Sequence, residues 1–231
     1  MQHAKLESMP IEVVFFDVGN TLLFTDHEKT LAPLWNRGIR PTEAQLFAAE
    51  RVARQEMDLI ISQTRKVDLQ YWETYYAHLL RTLNVNDVSL RLELVSLART
   101  SSNWSRMQPG TTDVLESMQP KYRLAVISNS DGRMDERLRT VGLGQYFEKV
   151  IDSGNVGYEK PAPQIFQSAL ESMSVPADRA LYLGDIYSVD YLGAQKVGMR
   201  AMLMDVAGVY ATRNEPRIES LDQLPDALSR I

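Results

Sequence analysis

The fold is decided by the stretch Val13-Val14-Phe15-Phe16-Asp17-Val18-Gly19-Asn20-Thr21-Leu22, in which a fully apolar strand ends abruptly on an acid. A Gly/Asn turn and a threonine follow the acid. Because parallel α/β sheets bind ligands at the carboxyl ends of their strands, Asp17 is a candidate site residue. Taken alone, an aspartate after a strand is more often a turn or cap residue, so other parts of the chain must decide its role.

Short apolar runs rich in β-branched or aromatic residues predict five buried strands, at Ile11–Phe16, Tyr122–Ser128, Lys149–Asp152, Ala180–Leu183 and Arg200–Met204. Stretches with helical character separate the last four strands, at Arg133–Val141, Pro163–Met173 and Ser188–Val197. This alternation predicts an α/β fold with a doubly wound, Rossmann-type parallel sheet.

The segment between the first two strands differs, because it holds amphipathic helices and no convincing strand. The first helix opens at Pro41 and Thr42 and runs to about Arg65, and two others are predicted at Leu69–Leu83 and Val88–Arg99. We therefore predict an all-helical cap domain at 27–103, inserted into a core domain made of 1–26 and 104–231. Pro109-Gly110 marks the return to the core before a helix at Thr111–Met118.

Composition narrows the possible functions. The chain of 231 residues carries a net charge of −5, which argues against a nucleic-acid or anionic-membrane surface. Without cysteine, disulfides and cysteine-ligated metal sites are excluded. No apolar run approaches the length of a membrane span, and the segment from Met1 to Pro10 has no signal-peptide core, so a cytoplasmic protein is expected.

Three further motifs carry polar groups at points where the predicted strands end. Ser128 and Asn129 follow the second strand, and Lys160 stands beside prolines just before a predicted helix. Asp185 follows the fourth strand directly, and Asp190 comes five residues later. Each motif alone has an ordinary explanation as a loop starter, a solvated lysine or a helix cap.

Together the four motifs, in this order, resemble those of the haloacid dehalogenase-like (HAD) superfamily. The resemblance covers about Val13–Leu22 and Gly110–Leu228, with a helical cap between the first and second motifs. It implies a hydrolase in which Asp17 is the nucleophile and forms a covalent ester with the substrate.

The resemblance also implies the other site residues. In phosphatases of the family Mg²⁺ is held at positions that correspond here to Asp17, the Gly19 carbonyl and Asp185, with Asp190 in support. Elementary electrostatics agrees, because converging carboxylates repel one another unless a cation neutralises them, and oxygen ligands suit Mg²⁺. Lys160 and Ser128 are expected to act in catalysis by binding the anion, and a small phosphate ester is expected to contact Thr21, Ser128, Asn129 and Lys160.

The sequence departs from the phosphatase pattern at Gly19, where a second aspartate usually acts as general acid and base. Such a group typically contributes roughly 10²- to 10⁴-fold to the rate. Asp26, His27 or Tyr158 could replace it, or the substrate could have a good leaving group. Two other functions stay open: a haloacid dehalogenase-like hydrolase, and a catalytically quiet HAD fold that binds a metabolite or protein.

The cap region is rich in aromatic residues, with Tyr71-Trp72 and Tyr75-Tyr76 in one helix and Trp104 after the cap. These rings could line a closed pocket. We favour the simpler interpretation that they pack within the cap, as aromatics on amphipathic helices usually do.

Overall fold

The structure is a computed structural model that describes residues 9–64 and 70–230. Its centre is a sheet of six strands in the order β5-β4-β1-β6-β7-β8, and every neighbouring pair is parallel. The sheet strands are β1 (Val13–Phe16), β4 (Arg123–Ser128), β5 (Lys149–Asp152), β6 (Ala180–Gly184), β7 (Arg200–Met204) and β8 (Arg217–Ile218). The predicted doubly wound α/β fold is confirmed, and all five predicted strands belong to this sheet.

The central strand β1 is apolar throughout because helices cover both faces of the sheet. Val13 and Phe15 of β1 pack into one apolar cluster, and Val14 and Phe16 pack into another on the opposite face. Alternate residues of a strand point to opposite faces, so a strand buried on both sides lacks the polar alternation of a half-exposed one. The central position of β1 brings its carboxyl end, and therefore Asp17, to the middle of the sheet edge.

The helices that pack around the sheet are α6 (Thr111–Met118), α7 (Met134–Thr140), α8 (Ser153–Val156), α9 (Pro163–Met173), α10 (Leu192–Lys196) and α11 (Leu224–Leu228). The helix predicted at Ser188–Val197 is two elements, a π-helical turn at Tyr187–Tyr191 followed by α10. The apolar periodicity of the sequence could not distinguish this π-helical turn from an α-helix. Contacts of Asp190, described below, stabilise the turn.

The segment 27–103, predicted to be helical, consists of helices and their connections in the residues that the structure describes. Its helices are α1 (His27–Thr30), α2 (Ala32–Trp35), α3 (Glu43–Thr64), α4 (Tyr71–Thr82) and α5 (Val88–Arg99). The predicted ends at Arg65 and Leu69 lie outside the described residues. Among the described helices, none has both the length and the apolar character needed to cross a membrane.

We call the five helices α1 to α5 the cap; they bury an apolar cluster of their own, which includes Leu79, Leu90 and Leu94. The chain enters and leaves the cap through a short antiparallel ladder of β2 (Phe24–Thr25) and β3 (Trp104–Arg106). These two strands were not predicted, because two or three residues are too few to show a period. The ladder lies at the predicted boundaries 26/27 and 103/104, and the division into two domains itself stays a prediction.

Candidate active site

A cavity of about 960 Å³ opens at the carboxyl ends of the central strands, between the sheet and the helical cap. It is lined by most of the side chains that the four motifs singled out. The motif residues on its wall are Asp17, Gly19, Ser128, Asn129, Lys160, Asp185 and Asp190. The parallel sheet accounts for this convergence, because β1, β4 and β6 are neighbours and end at the same edge.

Lys160 is the centre of a buried hydrogen-bond cluster. Its Nζ donates to Asp17 Oδ1 at 2.6 Å, to Asp190 Oδ1 at 2.7 Å and to the Tyr182 hydroxyl at 2.7 Å. An ammonium group has three protons to donate, so all of them are satisfied here. Burial alone would lower the pKa of Lys160, but the two carboxylates outweigh it and raise that pKa, so the lysine is cationic.

Asp17 is almost completely buried, and its backbone N–H donates to the Leu183 carbonyl at 2.8 Å, which continues the pairing of β1 with β6. Burial raises the pKa of Asp17 to about 6, against the lowering effect of Lys160 and with a smaller raising effect of Asp190. Lys160 contacts Oδ1, and within the described residues no other side chain donates to this carboxylate, so Oδ2 has no side-chain donor that a metal or an electrophile would have to displace.

Asp190 has both oxygens engaged by the protein. Oδ1 accepts from Lys160 and from the Tyr182 hydroxyl, at 3.1 Å for the latter, and Oδ2 accepts from the Ile186 N–H at 2.9 Å. A Cβ at Gly184 would come within 2.5 Å of Asp190 Cγ, so only glycine allows this close approach. Asp190 therefore closes the loop after β6 and positions Lys160.

One carboxylate oxygen of Asp185 contacts two side chains. Oδ2 accepts from Asn20 Nδ2 at 3.2 Å and lies 2.9 Å from Arg54 Nη2, which comes from α3 of the cap. Burial raises the pKa of Asp185 despite the adjacent guanidinium. Arg54 is itself 1% exposed and was missed by the sequence interpretation, because an arginine within an amphipathic helix is normally a surface residue.

The three acids Asp17, Asp185 and Asp190 offer carboxylate oxygens that lie within 4.8 Å of one another. An oxygen-only donor set of this kind fits a hard cation such as Mg²⁺. Within the described residues, Asp17 and Asp185 each have one carboxylate oxygen without a side-chain donor, and Gly19 lines the same cavity. The fit is weaker for Asp190, whose oxygens are already taken.

The Asn129 side chain forms two hydrogen bonds with the backbone of Lys160. Its Oδ1 accepts from the backbone N–H of Lys160 at 2.7 Å, and its Nδ2 donates to the Lys160 carbonyl at 3.0 Å.

The Ser128 side chain is buried on the cavity wall. Thr21 does not line the cavity, and its buried hydroxyl has no hydrogen-bond partner within the part of the chain that the structure describes. The substrate contact predicted for Thr21 therefore stays a prediction.

Comparison with known proteins agrees with this geometry. The sequence model of the haloacid dehalogenase-like hydrolases matches residues 11–198. The chain belongs to this family. It is therefore a hydrolase, as the four motifs predicted.

Named relatives of this HAD hydrolase include glyceraldehyde 3-phosphate phosphatase of Methanothermobacter thermautotrophicus, 28% identical over 92% of the chain and 93% of the relative. Haloacid dehalogenase-like hydrolase domain-containing protein 3 of Xenopus laevis is 35% identical over 58% of the chain and 57% of that relative, so the match spans little more than half of each. Among solved structures, the HAD hydrolase YfnB of Bacillus subtilis, bound to magnesium, superposes with a TM-score of 0.66 at 19% identity, covering 95% of this chain and 99% of YfnB.

In this HAD hydrolase the side chain of Trp104 lies over Gly19. A Cβ added there would lie 3.2 Å from Trp104 Cζ3, so the indole covers the position where a second aspartate would point. Trp104 is fixed in turn, because its Nε1 donates to the Ala98 carbonyl at 2.8 Å and its own carbonyl accepts from Arg137. The glycine is therefore part of a packed contact.

The three predicted substitutes for the missing acid do not line the active-site cavity. Asp26 caps α1 through the Glu28 N–H and pairs with Lys29, and Tyr158 is 48% exposed on the surface. His27 lines a separate cavity of about 450 Å³. Sequence proximity to the motifs was the only ground for these candidates, and a role for any of them stays a prediction.

The aromatic residues divide between packing and the cavity. Tyr75 and Tyr76 are buried in the cap cluster, which confirms the packing interpretation for them. Tyr71, Trp72 and Trp104 also line the cavity, and the rings of Trp72 and Trp104 meet edge to face at 5.8 Å. For these three the packing interpretation was incomplete.

Proposed function

We propose that this HAD hydrolase is a Mg²⁺-dependent phosphohydrolase that acts on a small phosphorylated metabolite through an aspartyl-phosphate on Asp17. The observation that carries the proposal is the buried pairing of Asp17 with Lys160 at the cavity floor, with Asp185 beside them. The name of the Methanothermobacter relative, glyceraldehyde 3-phosphate phosphatase, supports a small phosphate ester as substrate.

Each residue has a role that follows from its contacts. Asp17 presents one oxygen to the substrate while Lys160 holds the other, so the nucleophile is oriented before the substrate arrives. The ammonium of Lys160 and the Ser128 hydroxyl stabilise negative charge on the transferred group. Asp17, the Gly19 carbonyl and Asp185 would hold Mg²⁺, which supplies charge neutralisation when bound. Asp190 and Tyr182 keep Lys160 in place.

The reaction proceeds in two displacements. An Asp17 oxygen forms a bond to phosphorus while the ester P–O bond breaks, and the leaving oxygen takes its proton from water. Water then attacks the same phosphorus, the P–O bond to Asp17 breaks, and inorganic phosphate leaves with Asp17 restored. Because no side chain extends from Gly19 to protonate the leaving oxygen, the enzyme should favour substrates whose leaving group is stable as an anion.

A phosphate-release assay with and without EDTA tests this function. It should include aryl, acyl and alkyl phosphates, with Asp17→Asn as the matched inactive variant. We expect release that depends on Mg²⁺, vanishes in Asp17→Asn and is fastest for aryl or acyl phosphates. Activity that survives the substitution would exclude Asp17 as the nucleophile.

A second candidate is a dehalogenase-like hydrolysis of a 2-haloacid, which the absence of an acid at Gly19 favours. In this reaction Asp17 attacks carbon and the halide leaves without protonation. Chloride release from a 2-chloroacid that is unaffected by EDTA would favour this candidate. If the protein hydrolyses neither class yet a metabolite raises its melting temperature, a binding role without catalysis is favoured instead.

A further inference from the structure

One face of the cap helix α3 is fastened to the core by three side chains. Arg51 Nη1 donates to the Ala207 carbonyl at 2.8 Å, and Asp58 accepts from the Ser188 N–H at 3.0 Å and from the Tyr210 hydroxyl at 2.9 Å. Arg54 lies between them and pairs with Asp185. Spacings of three and four residues place all three side chains on one side of the helix. We call Arg51, Arg54 and Asp58 the clasp.

Arg54 differs from the other two because its partner belongs to the catalytic acids. Nη2 lies 2.9 Å from Asp185 Oδ2, and Nη1 donates to the Asp185 backbone carbonyl. The guanidinium is completely buried, and its Nε has no hydrogen-bond partner within the described residues. A buried arginine needs compensating negative charge, and Asp185 supplies much of it.

Arg54 has a second acidic partner that belongs to its own helix. Nη2 also donates to Glu50 Oε1, one helical turn away. If Asp185 paired with a metal ion instead, Arg54 would therefore still be paired with Glu50. The arrangement allows the guanidinium to leave Asp185 without leaving its charge uncompensated.

We propose that Arg54 is a resident counter-ion of Asp185 that a divalent cation displaces, so that metal binding loosens the clasp between α3 and the core. This inference rests on the metal-binding part of the proposed function and goes beyond it by coupling the metal site to the cap. Two cations beside one buried carboxylate repel each other strongly at low dielectric, so the metal and the guanidinium compete for Asp185. Once the metal is bound, the clasp keeps the polar contacts of Arg51 and Asp58, and Met57 and Ile61 of α3 still pack against Val189 of the core.

Calorimetric titration of Mg²⁺ into the EDTA-stripped protein tests the competition directly. We expect Arg54→Gln to bind Mg²⁺ roughly tenfold or more tightly than the natural chain, because the competing cation is gone. Arg51→Gln is the matched control, since it removes a clasp contact one turn away without touching Asp185, and its Mg²⁺ affinity should be unchanged. Arg54→Lys keeps a cation and should bind less tightly than Arg54→Gln.

Unchanged or weaker binding by Arg54→Gln would overturn the inference, and weaker binding would instead make Arg54 an orienting partner of the metal ligand. Absence of Mg²⁺ binding by both the natural chain and Arg54→Gln would overturn it as well. Because the titration uses no substrate, its result is independent of the phosphate-release assay. If the natural chain releases no phosphate but Arg54→Gln binds Mg²⁺ more tightly than the natural chain, the proposed reaction is rejected and the inference about Arg54 stands.

Hydrogen exchange on the natural chain provides a test that needs no variant. We expect Mg²⁺ to speed amide exchange in α3 around Arg51 to Asp58, because the clasp loses its central contact. Exchange in α3 that slows or stays the same on saturation with Mg²⁺ would contradict the proposed displacement.

Discussion

Lys160 Nζ lies 2.6 Å from Asp17 Oδ1, although the two residues are 143 positions apart in the chain. The same ammonium also binds Asp190, so one buried cation compensates two buried acids. Lys160 therefore contributes to the stability of the fold as well as to the reaction proposed for Asp17.

Lys160→Met should destabilise the protein strongly. Removing one partner of a buried ion pair leaves uncompensated charge, which typically costs about 3–5 kcal/mol. Urea unfolding at neutral pH in EDTA measures the loss, with Lys149→Met as the control because Lys149 is an exposed lysine of β5. A loss no larger than that of the control would show that Asp17 and Asp190 do not depend on the ammonium.

Asp17 should make the metal-free protein less stable as the pH rises. Its pKa is raised from 3.8 to about 6 in the folded state, so between these values the folded protein binds more protons than the unfolded chain. The free energy of unfolding then decreases with rising pH by up to about 3 kcal/mol, since one pKa unit corresponds to about 1.4 kcal/mol.

The comparison of the natural chain with Asp17→Asn in EDTA isolates this effect. The amide that replaces the carboxyl group does not titrate, so the stability of the variant relative to the natural chain should increase between pH 4 and pH 7. A difference that is constant over this range would mean that the Asp17 pKa is not raised in the folded protein.

Gly19→Asp should be poorly tolerated unless Trp104 is also changed. The new Cβ would lie 3.2 Å from Trp104 Cζ3, and overpacking of this kind typically costs about 1–3 kcal/mol. In Gly19→Asp with Trp104→Ala, the carboxyl group has room, and hydrolysis of alkyl phosphates should rise by up to roughly 10²-fold. Trp104→Ala alone is the control and should show no such increase.

Thermal unfolding of Gly19→Asp tests whether the contact with Trp104 lowers the stability of the single variant, as we expect. If the single variant is as stable as the natural chain and also hydrolyses alkyl phosphates faster, then Trp104 does not restrict the position.

The sheet and the cluster of motif residues could be predicted because they depend on local patterns. Apolar runs identify the strands, and a parallel sheet brings the residues that follow them to one edge, which is why Asp17, Lys160 and Asp185 could be grouped from the sequence. The order of the motifs along the chain then distinguished them from ordinary caps and turns.

Contacts between the cap and the core could not be predicted in this way. Arg54 looks like a surface residue of an amphipathic helix, and only the placement of α3 on the core buries it against Asp185. Trp104 likewise covers Gly19 because β2 and β3 pair, although the two residues are far apart in sequence. A sequence signal did exist for Tyr182, since a tyrosine in the middle of a fully buried strand needs a hydrogen-bond partner.

The central claim is that Asp17 forms a covalent phosphoryl ester, and rapid acid quenching followed by peptide mass spectrometry tests it most directly. The protein is mixed with Mg²⁺ and an aryl phosphate, quenched within the first turnover and digested. The account predicts a phosphoryl group on the peptide that contains Asp17, and none on that peptide from Asp17→Asn. Phosphate release at an undiminished rate by Asp17→Asn, or turnover by the natural chain with no phosphoryl group ever found on that peptide, would contradict it.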